Sequence, residues 1–212
     1  FLFCPTFQAV ENLKKEGIQK NVFHSGDVMF DAALLAASLS DKHNLILKKT
    51  GLQKGAYFLA TLHRAENTDN EIRLKSILSA LNELSVQKPV VLPIHPRTIK
   101  KIRAFGLESL TPNLKIIDPV SFLEMVALEK NAALILTDSG GVQKEAYFHG
   151  IPCITLRDET EWIETIETGW NILAGCDVNK ILKACQKRSK GTPILEYGTG
   201  NASQKIINTL NP

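Results

Sequence analysis

The sequence predicts a doubly wound parallel α/β sheet, and three observations predict it. From about residue 55 to 190, short apolar runs alternate with longer stretches of helical periodicity. The runs are apolar throughout, as strands covered on both faces must be. Polar clusters rich in His, Arg, Glu, Ser and Gly follow four of these runs, where an open α/β sheet meets its ligands. The architecture implied is Rossmann-like.

Each element follows in order. Phe1–Cys4 reads as a strand end. Thr6 is an N-cap for a helix over Phe7–Glu16, which Gly17 closes. Val22–His24 is a short strand, and Gly26-Asp27 precedes an Ala- and Leu-rich helix from Val28 to about Leu39. Tyr57–Thr61 is a strand. In Glu71–Leu84, Ile72, Leu74, Ile77, Leu78 and Leu81 recur at helical spacing. Strands over Pro89–Ile94, Leu114–Ile117, Ala132–Thr137 and Pro152–Leu156 alternate with helices over Thr98–Phe105, Ser121–Asn131 and Gly141–Phe148. A last strand at Trp170–Leu173 precedes helices at Val178–Lys187 and Ala202–Leu210. Residues 1–25 read as the tail of another unit, and residues 26–212 as one domain.

Composition narrows the function classes. The 212 residues carry 25 Lys and Arg against 22 Asp and Glu, scattered without a basic stripe, which argues against a nucleic-acid partner. Cys4, Cys153, Cys176 and Cys185 form no CxxC pair and no zinc spacing, so a reducing, cytoplasmic setting without a metal is expected. No run approaches the ~20 apolar residues of a membrane span. Phe1–Pro5 is too short and lacks the basic start of a leader. A chain beginning at Phe1 reads as a portion of a longer protein.

Four loops carry chemistry. In Leu134-Ile-Leu-Thr-Asp-Ser-Gly-Gly-Val-Gln-Lys-Glu-Ala146 a buried strand runs through Ser139-Gly140-Gly141 into a helix. Free N–H groups at a helix start attract an anion, and glycines allow close approach. Ser139 can donate its hydroxyl, and Glu145 can accept from two ribose hydroxyls. A capped helix with a tight turn would need the same residues, and spacing leaves both readings open. His63-Arg64-x-Glu66-Asn67 follows a strand with more charge than capping requires. His95, between Ile94 and Pro96, is held extended by the proline. Leu156-Arg-Asp-Glu-Thr-Glu-Trp-Ile-Glu164 is either a lid over a ligand or a solvated loop. All four fall on one sheet edge.

These residues resemble the non-hydrolysing UDP-N-acetylglucosamine 2-epimerases over nearly the whole chain. The markers are Gly26-Asp-Val-Met-Phe-Asp-Ala32, the His63–Asn67 set, His95-Pro96, Asp118-Pro-Val-Ser-Phe122, Asp138-Ser-Gly-Gly-Val-Gln-Lys-Glu145 and Arg157-Asp-Glu-Thr-Glu161. The resemblance implies the C-terminal half of a two-domain GT-B-type enzyme, with UDP-sugar between the halves. Residues 1–25 would be the tail of the missing N-terminal domain and the hinge, and the last helix would return to that domain. It further implies that Ser139, Gly140 and Gly141 hold the diphosphate, Glu145 the ribose, Met125 an apolar slot beside uracil, and the Val120 backbone the uracil edge. His63 would be the catalytic group beside the leaving diphosphate, with Arg64, Glu66, His95 and Arg157 around the substrate. UDP and UDP-sugar are the implied ligands, a homodimer the implied assembly, and no cofactor is needed.

One departure concerns the sugar. Many family members have Glu-Arg-Pro-Glu where this chain has Glu161-Trp-Ile-Glu164. Trp162 lacks that arginine's charge but can stack on a ring. A relative acting on UDP-2,3-diacetamido-glucuronate has a similar Trp version. A GT-B glycosyltransferase half and a non-catalytic UDP-binding module are the competing readings; the His63–Asn67 and Ser139–Gly141 sets together favour the epimerase.

Overall fold

The computed structural model of the chain describes residues 1–42 and 45–211. Strands β1 (Leu2–Cys4) and β2 (Val22–His24) pair in parallel as a separate two-stranded sheet, joined by helix α1 (Phe7–Lys15). The Thr6 hydroxyl caps α1 by accepting the Ala9 N–H at 3.2 Å, as the sequence predicts. Phe3 and Phe23 stack across this pair at 5.6 Å.

The chain then turns at Gly26 (φ +84°). A Cβ there would stand 2.9 Å from the Tyr197 carbonyl oxygen, which accepts the next N–H, that of Asp27. Asp27 starts helix α2 (Val28–Lys42) by accepting from the Met29 N–H at 2.8 Å. Helix α3 (Leu45–Thr50) buries Ile46 and Leu47. At six residues it is too short to show a period in the sequence.

The larger sheet is built by β3 (Phe58–Thr61), α4 (Ala65–Thr68), α5 (Glu71–Gln87), β4 (Val90–Pro93), α6 (Pro96–Ala104), β5 (Lys115–Ile117), α7 (Phe122–Asn131), β6 (Leu134–Thr137), α8 (Gly140–Phe148), β7 (Cys153–Thr155), α9 (Ile163–Glu167), β8 (Asn171–Leu173) and α10 (Val178–Lys187). Its order is β5-β4-β3-β6-β7-β8, and every pair is parallel. The chain winds outward from β3 to β5, then returns to lay β6 on the other side of β3. The carboxyl ends of β3 and β6 therefore border the switch point where such sheets open a crevice.

Both faces of the strands are covered. Phe58, Ala60, Val90, Leu92, Leu134 and Leu136 pack into one core with Leu74, Ile77, Leu78 and Leu81 of α5 and Ile181 of α10. Leu59, Val91 and Ile135 point the other way, onto Ala127 and Leu128 of α7 and Val142 and Ala146 of α8. This two-sided burial explains the unbroken apolar runs.

Boundaries shift where caps are stronger than periodicity. Helix α6 starts at Pro96, because proline suits the first helical position. Helix α8 starts at Gly140, one residue before the expected Gly141, so Glu145 lies in its second turn. Helices α4 and α9 occupy stretches that read as loops.

The C-terminal segment closes the molecule. The Glu196 carboxylate accepts from the Phe7 N–H at 2.6 Å, and the first N–H groups of α11 (Ala202–Leu210) donate to Asp31 of α2. The last helix thus packs on α2, the second helix of the chain. Among the described residues no helix is long and apolar enough to cross a membrane.

The Gly26 turn sets the first testable point. Gly26→Ala should cost roughly 2–3 kcal/mol, from a left-handed backbone plus a contact too short for a Cβ. Gly55→Ala, with φ +71° but open space around it, should cost only ~1 kcal/mol. Thermal unfolding of the two variants side by side checks this; equal losses would refute the steric part.

Candidate functional site

At the switch point the organising group is Asp138, which is fully buried at the end of β6. Its carboxylate accepts from the backbone N–H of His63 (3.2 Å) and Arg64 (3.0 Å) and from Asn67 Nδ2 (3.2 Å). Asn67 also donates to the Leu156 carbonyl at 2.9 Å and accepts from Arg73 Nε. The loops after β3, β6 and β7 are thereby clasped into one edge. Beneath them the Thr61 and Thr137 hydroxyls meet at 2.5 Å across the β3–β6 pair. The Asp138 carboxylate turns inward, so the anion-facing part of the turn is Ser139-Gly140-Gly141 alone.

Ser139 caps α8 by accepting from the Val142 N–H, and its carbonyl takes the Gln143 N–H. Among the described residues, nothing accepts from the N–H groups of Gly140 and Gly141. The Ser139 hydroxyl proton is still available to donate. A Cβ at Gly140 would stand 3.4 Å from both Glu161 Oε2 and Trp162 Nε1 and 3.8 Å from Arg64 Nη2. The helix start is thus a glycine-floored seat with a guanidinium and an indole N–H at its wall. Helix dipole and cation both favour an anion there.

Beside it lies a cavity of about 320 Å³ lined by His63, His95, Val120, Met125 and Val142 among others, and by no carboxylate among the described residues. The His63 ring places Nδ1 3.6 Å from Asp138 Oδ1, which turns Nε2 away from that carboxylate. His95 is extended (φ −75°, ψ 143°) as the residue before a proline, and its Nδ1 accepts from the Arg97 N–H at 3.2 Å. That hydrogen bond places the neutral ring's proton on Nε2, making the free end a donor.

Other candidates are placed differently. Glu66 pairs with Arg73 at 3.1 Å, and Arg73 reaches on to Asp158 at 2.7 Å. Arg157 is nearly buried and spends Nη1 on both oxygens of Glu161 (3.1 and 3.0 Å), which holds the Glu161 carboxyl below its usual range. It meets the seat through Glu161. Glu145 stands outside the cavity lining, half-buried on α8 near Glu129 of α7. Burial pushes the Glu145 carboxyl above the ordinary carboxylate range.

Two features have no local sequence signal. Lys144 is buried and pairs with Asp27 at 2.7 Å, 117 positions away, with its ammonium 3.9 Å from the centre of the Trp162 ring. Glu129 is also buried, 3.7 Å from His149 Nε2. That separation suits an ion pair, yet burial drives both groups toward neutrality. The Glu129 carboxyl is pushed well up, with Glu145 adding to it, and the His149 imidazole is pushed down to about 4. Enclosure disfavours the charged form of each, so the contact gains little as an ion pair.

The sequence model of the family described as UDP-N-acetylglucosamine 2-epimerase matches residues 1–211. A protein of Methanococcus maripaludis named "UDP-N-acetylglucosamine 2-epimerase homolog" is 48% identical over 99% of this chain and 60% of its own length. The "UDP-2,3-diacetamido-2,3-dideoxy-D-glucuronate 2-epimerase" of Pseudomonas aeruginosa is 45% identical over 99% of this chain and 59% of its own. The crystal structure of Methanocaldococcus jannaschii UDP-GlcNAc 2-epimerase in complex with UDP-GlcNAc and UDP superposes with a TM-score of 0.90 at 42% identity, over 99% of this chain and 60% of that one. The chain spans about 60% of the length of these relatives.

The Glu129 enclosure predicts a pH effect. A carboxyl with a raised folded pKa supports folding below its usual value of 4.5 and loses that support as pH rises through the folded value. Glu129→Gln should therefore match the parent near pH 4 and gain ~1–3 kcal/mol, or about 3–10 °C, at pH 8. Melting curves across pH 4–8 measure this, and a variant less stable at pH 8 than at pH 4, relative to the parent, contradicts it.

Proposed function

Because the chain belongs to the UDP-N-acetylglucosamine 2-epimerase family, we propose that it is the UDP-gripping part of a longer, cytoplasmic C2 epimerase, homodimeric in its working form. The substrates are UDP-GlcNAc and UDP-ManNAc. What carries this reading is the open glycine seat of α8, with Arg64 and Trp162 at its wall and the two-histidine cavity beside it.

In the proposed reaction the C2 proton leaves, the C1–oxygen bond to the diphosphate breaks, and a C1–C2 alkene of the sugar forms beside free UDP. UDP then re-adds at C1 as a proton returns to the other face of C2. The departing diphosphate gathers negative charge. The Gly140 and Gly141 N–H groups, the Ser139 hydroxyl, Arg64 and the outward end of His63 stabilise it there. Val120 and Met125 line the slot for the base, His95 Nε2–H faces the substrate, and Glu145 serves the ribose. Glu66 and Arg157 act around the substrate through Arg73 and Glu161. The proton moves at C2 fall to the remainder of the longer protein, and this chain alone binds UDP without turning over. No step of this route requires a cofactor.

A second substrate reading has its own support. The Pseudomonas aeruginosa relative named for UDP-2,3-diacetamido-2,3-dideoxy-D-glucuronate is 45% identical. Trp162 stands where the commoner pattern has arginine. The two readings share the UDP grip and differ in the sugar.

Gly140→Ala tests the seat. Its methyl would project among Glu161, Trp162 and Arg64, so UDP affinity should fall about tenfold or more with little change in melting temperature. Undiminished UDP binding would remove the phosphate from this seat. For the reaction, the full-length protein in deuterated water should place deuterium at C2 of UDP-GlcNAc without any acceptor. Sugar transfer that depends on an acceptor, with no C2 exchange, would mean a glycosyltransferase.

A further inference from the structure

Trp162 carries a donor with no acceptor. Its Nε1 is buried, and no group among the described residues receives its hydrogen. A buried donor left unmade costs about 1–3 kcal/mol, so such a group calls for an explanation. It faces Gly140, 3.4 Å from where a Cβ would stand, at the α8 seat where the Gly140 and Gly141 N–H groups are likewise unpaired. Glu161 Oε2 is equally near that point, but the carboxylate is committed to Arg157 and accepts nothing from the indole.

The ring is fixed in place. The Trp162 backbone N–H donates to Thr160 Oγ1 at 3.1 Å, and that hydroxyl donates to buried Gln143 Oε1 at 2.6 Å. The Trp162 carbonyl accepts from the Thr165 hydroxyl at 2.7 Å. The Lys144 ammonium lies 3.9 Å from the ring centre, locked by Asp27 at 2.7 Å. A cation on an indole face draws electron density from the ring and makes its N–H a stronger donor. Cation, ring and N–H thus form a relay that ends at the seat.

We propose that the Trp162 indole N–H donates to a phosphate oxygen of a nucleoside diphosphate bound at the start of α8, and that Lys144 is the positioning residue that holds and polarises the ring. The assignment rests on the UDP reading above and goes beyond it. Trp162 acts through its edge, not by stacking. Lys144 supplies, from behind the ring, the positive charge that the Trp162 side chain itself lacks.

Calorimetric titration with UDP, and with uridine as the phosphate-free control, tests both parts. Trp162→Phe keeps an aromatic ring beside Lys144 and deletes the N–H together with part of the bicyclic ring, the packing loss being what the uridine control reads. UDP should bind about tenfold more weakly, as loss of a charge-assisted hydrogen bond implies, while uridine is unaffected. UDP affinity within twofold of the parent, or an equal loss for uridine, would overturn the N–H role. Lys144→Met alone would strand a buried Asp27, so the paired change Asp27→Asn with Lys144→Met is used. It should weaken UDP about threefold and leave uridine unchanged; unchanged UDP affinity in the folded double variant refutes the positioning role. If the double variant does not fold, Lys144→Arg keeps the cation and should retain parental UDP affinity, and a folded Lys144→Arg protein with a tenfold loss refutes it instead. A parent protein that binds no UDP sinks the nucleotide reading itself, a result distinct from any of these.

Discussion

The site depends on one buried carboxylate at the switch point of the sheet. Asp138 directly follows β6 and gathers the backbone of the His63–Arg64 loop and the side chain of Asn67. An enclosed carboxylate is tolerable only when its lone pairs are met, and here three donors from a loop 71–75 positions away meet them. Satisfying Asp138 and folding the loop that carries His63 and Arg64 are therefore the same event. The alternation of apolar strands gives the sheet, but the sheet alone would leave that loop free. Asn67 extends the clasp to the Leu156 carbonyl, which brings the Arg157–Trp162 segment to the same edge.

This explains which parts of the site can be read from the chain. The Ser139-Gly140-Gly141 turn is local: strand, cap, glycines and helix start lie within a few residues, and each has a compositional cue. His95 is local too, because Pro96 fixes the backbone on one side and starts α6 on the other. The sheet is legible because two-sided burial writes an apolar run into every strand. Lys144 and Asp27 have no such cue. Their pairing depends on α2 crossing α8, a contact between segments 117 positions apart. A lysine on a helix reads as a solvated charge until its partner is known. The same is true of Glu129, whose burial arises from the packing of α7 on α8. Helices α3, α4 and α9 are missed for a different reason: with four to six residues each, they hold less than two turns of any period.

The electrostatics divide the site into two compartments. The seat at α8 gathers donors and one cation: two glycine N–H groups, the Ser139 hydroxyl, Arg64 and the Trp162 edge. Its acidic neighbour Glu161 is held by Arg157, so the pair brings little net charge to the seat. The cavity beside it is largely apolar, with Val120, Met125 and Val142 framing the two histidines. Behind α8, burial disfavours charge on both Glu129 and His149. The strand order sets the two compartments side by side, as the proposed grip on an anionic diphosphate and its base requires.

That division bears on how such a site serves more than one sugar. In the proposed reaction the barrier comes from breaking C–H and C–O bonds while charge collects on the departing diphosphate. Interactions that strengthen as charge develops accelerate the step, whereas equal binding of substrate and transition state does not. Donors aimed at the diphosphate qualify; contacts to an unreacting sugar hydroxyl do not. The relatives at 48% and 45% identity are named for different UDP-sugars, and UDP is the part those substrates share. A domain that concentrates its fixed donors on UDP can hold its geometry while the sugar changes. Position 162 lies at the edge of that grip. There the proposed role of Trp162 needs no charge of its own, because the Lys144 ammonium lies 3.9 Å from the ring centre.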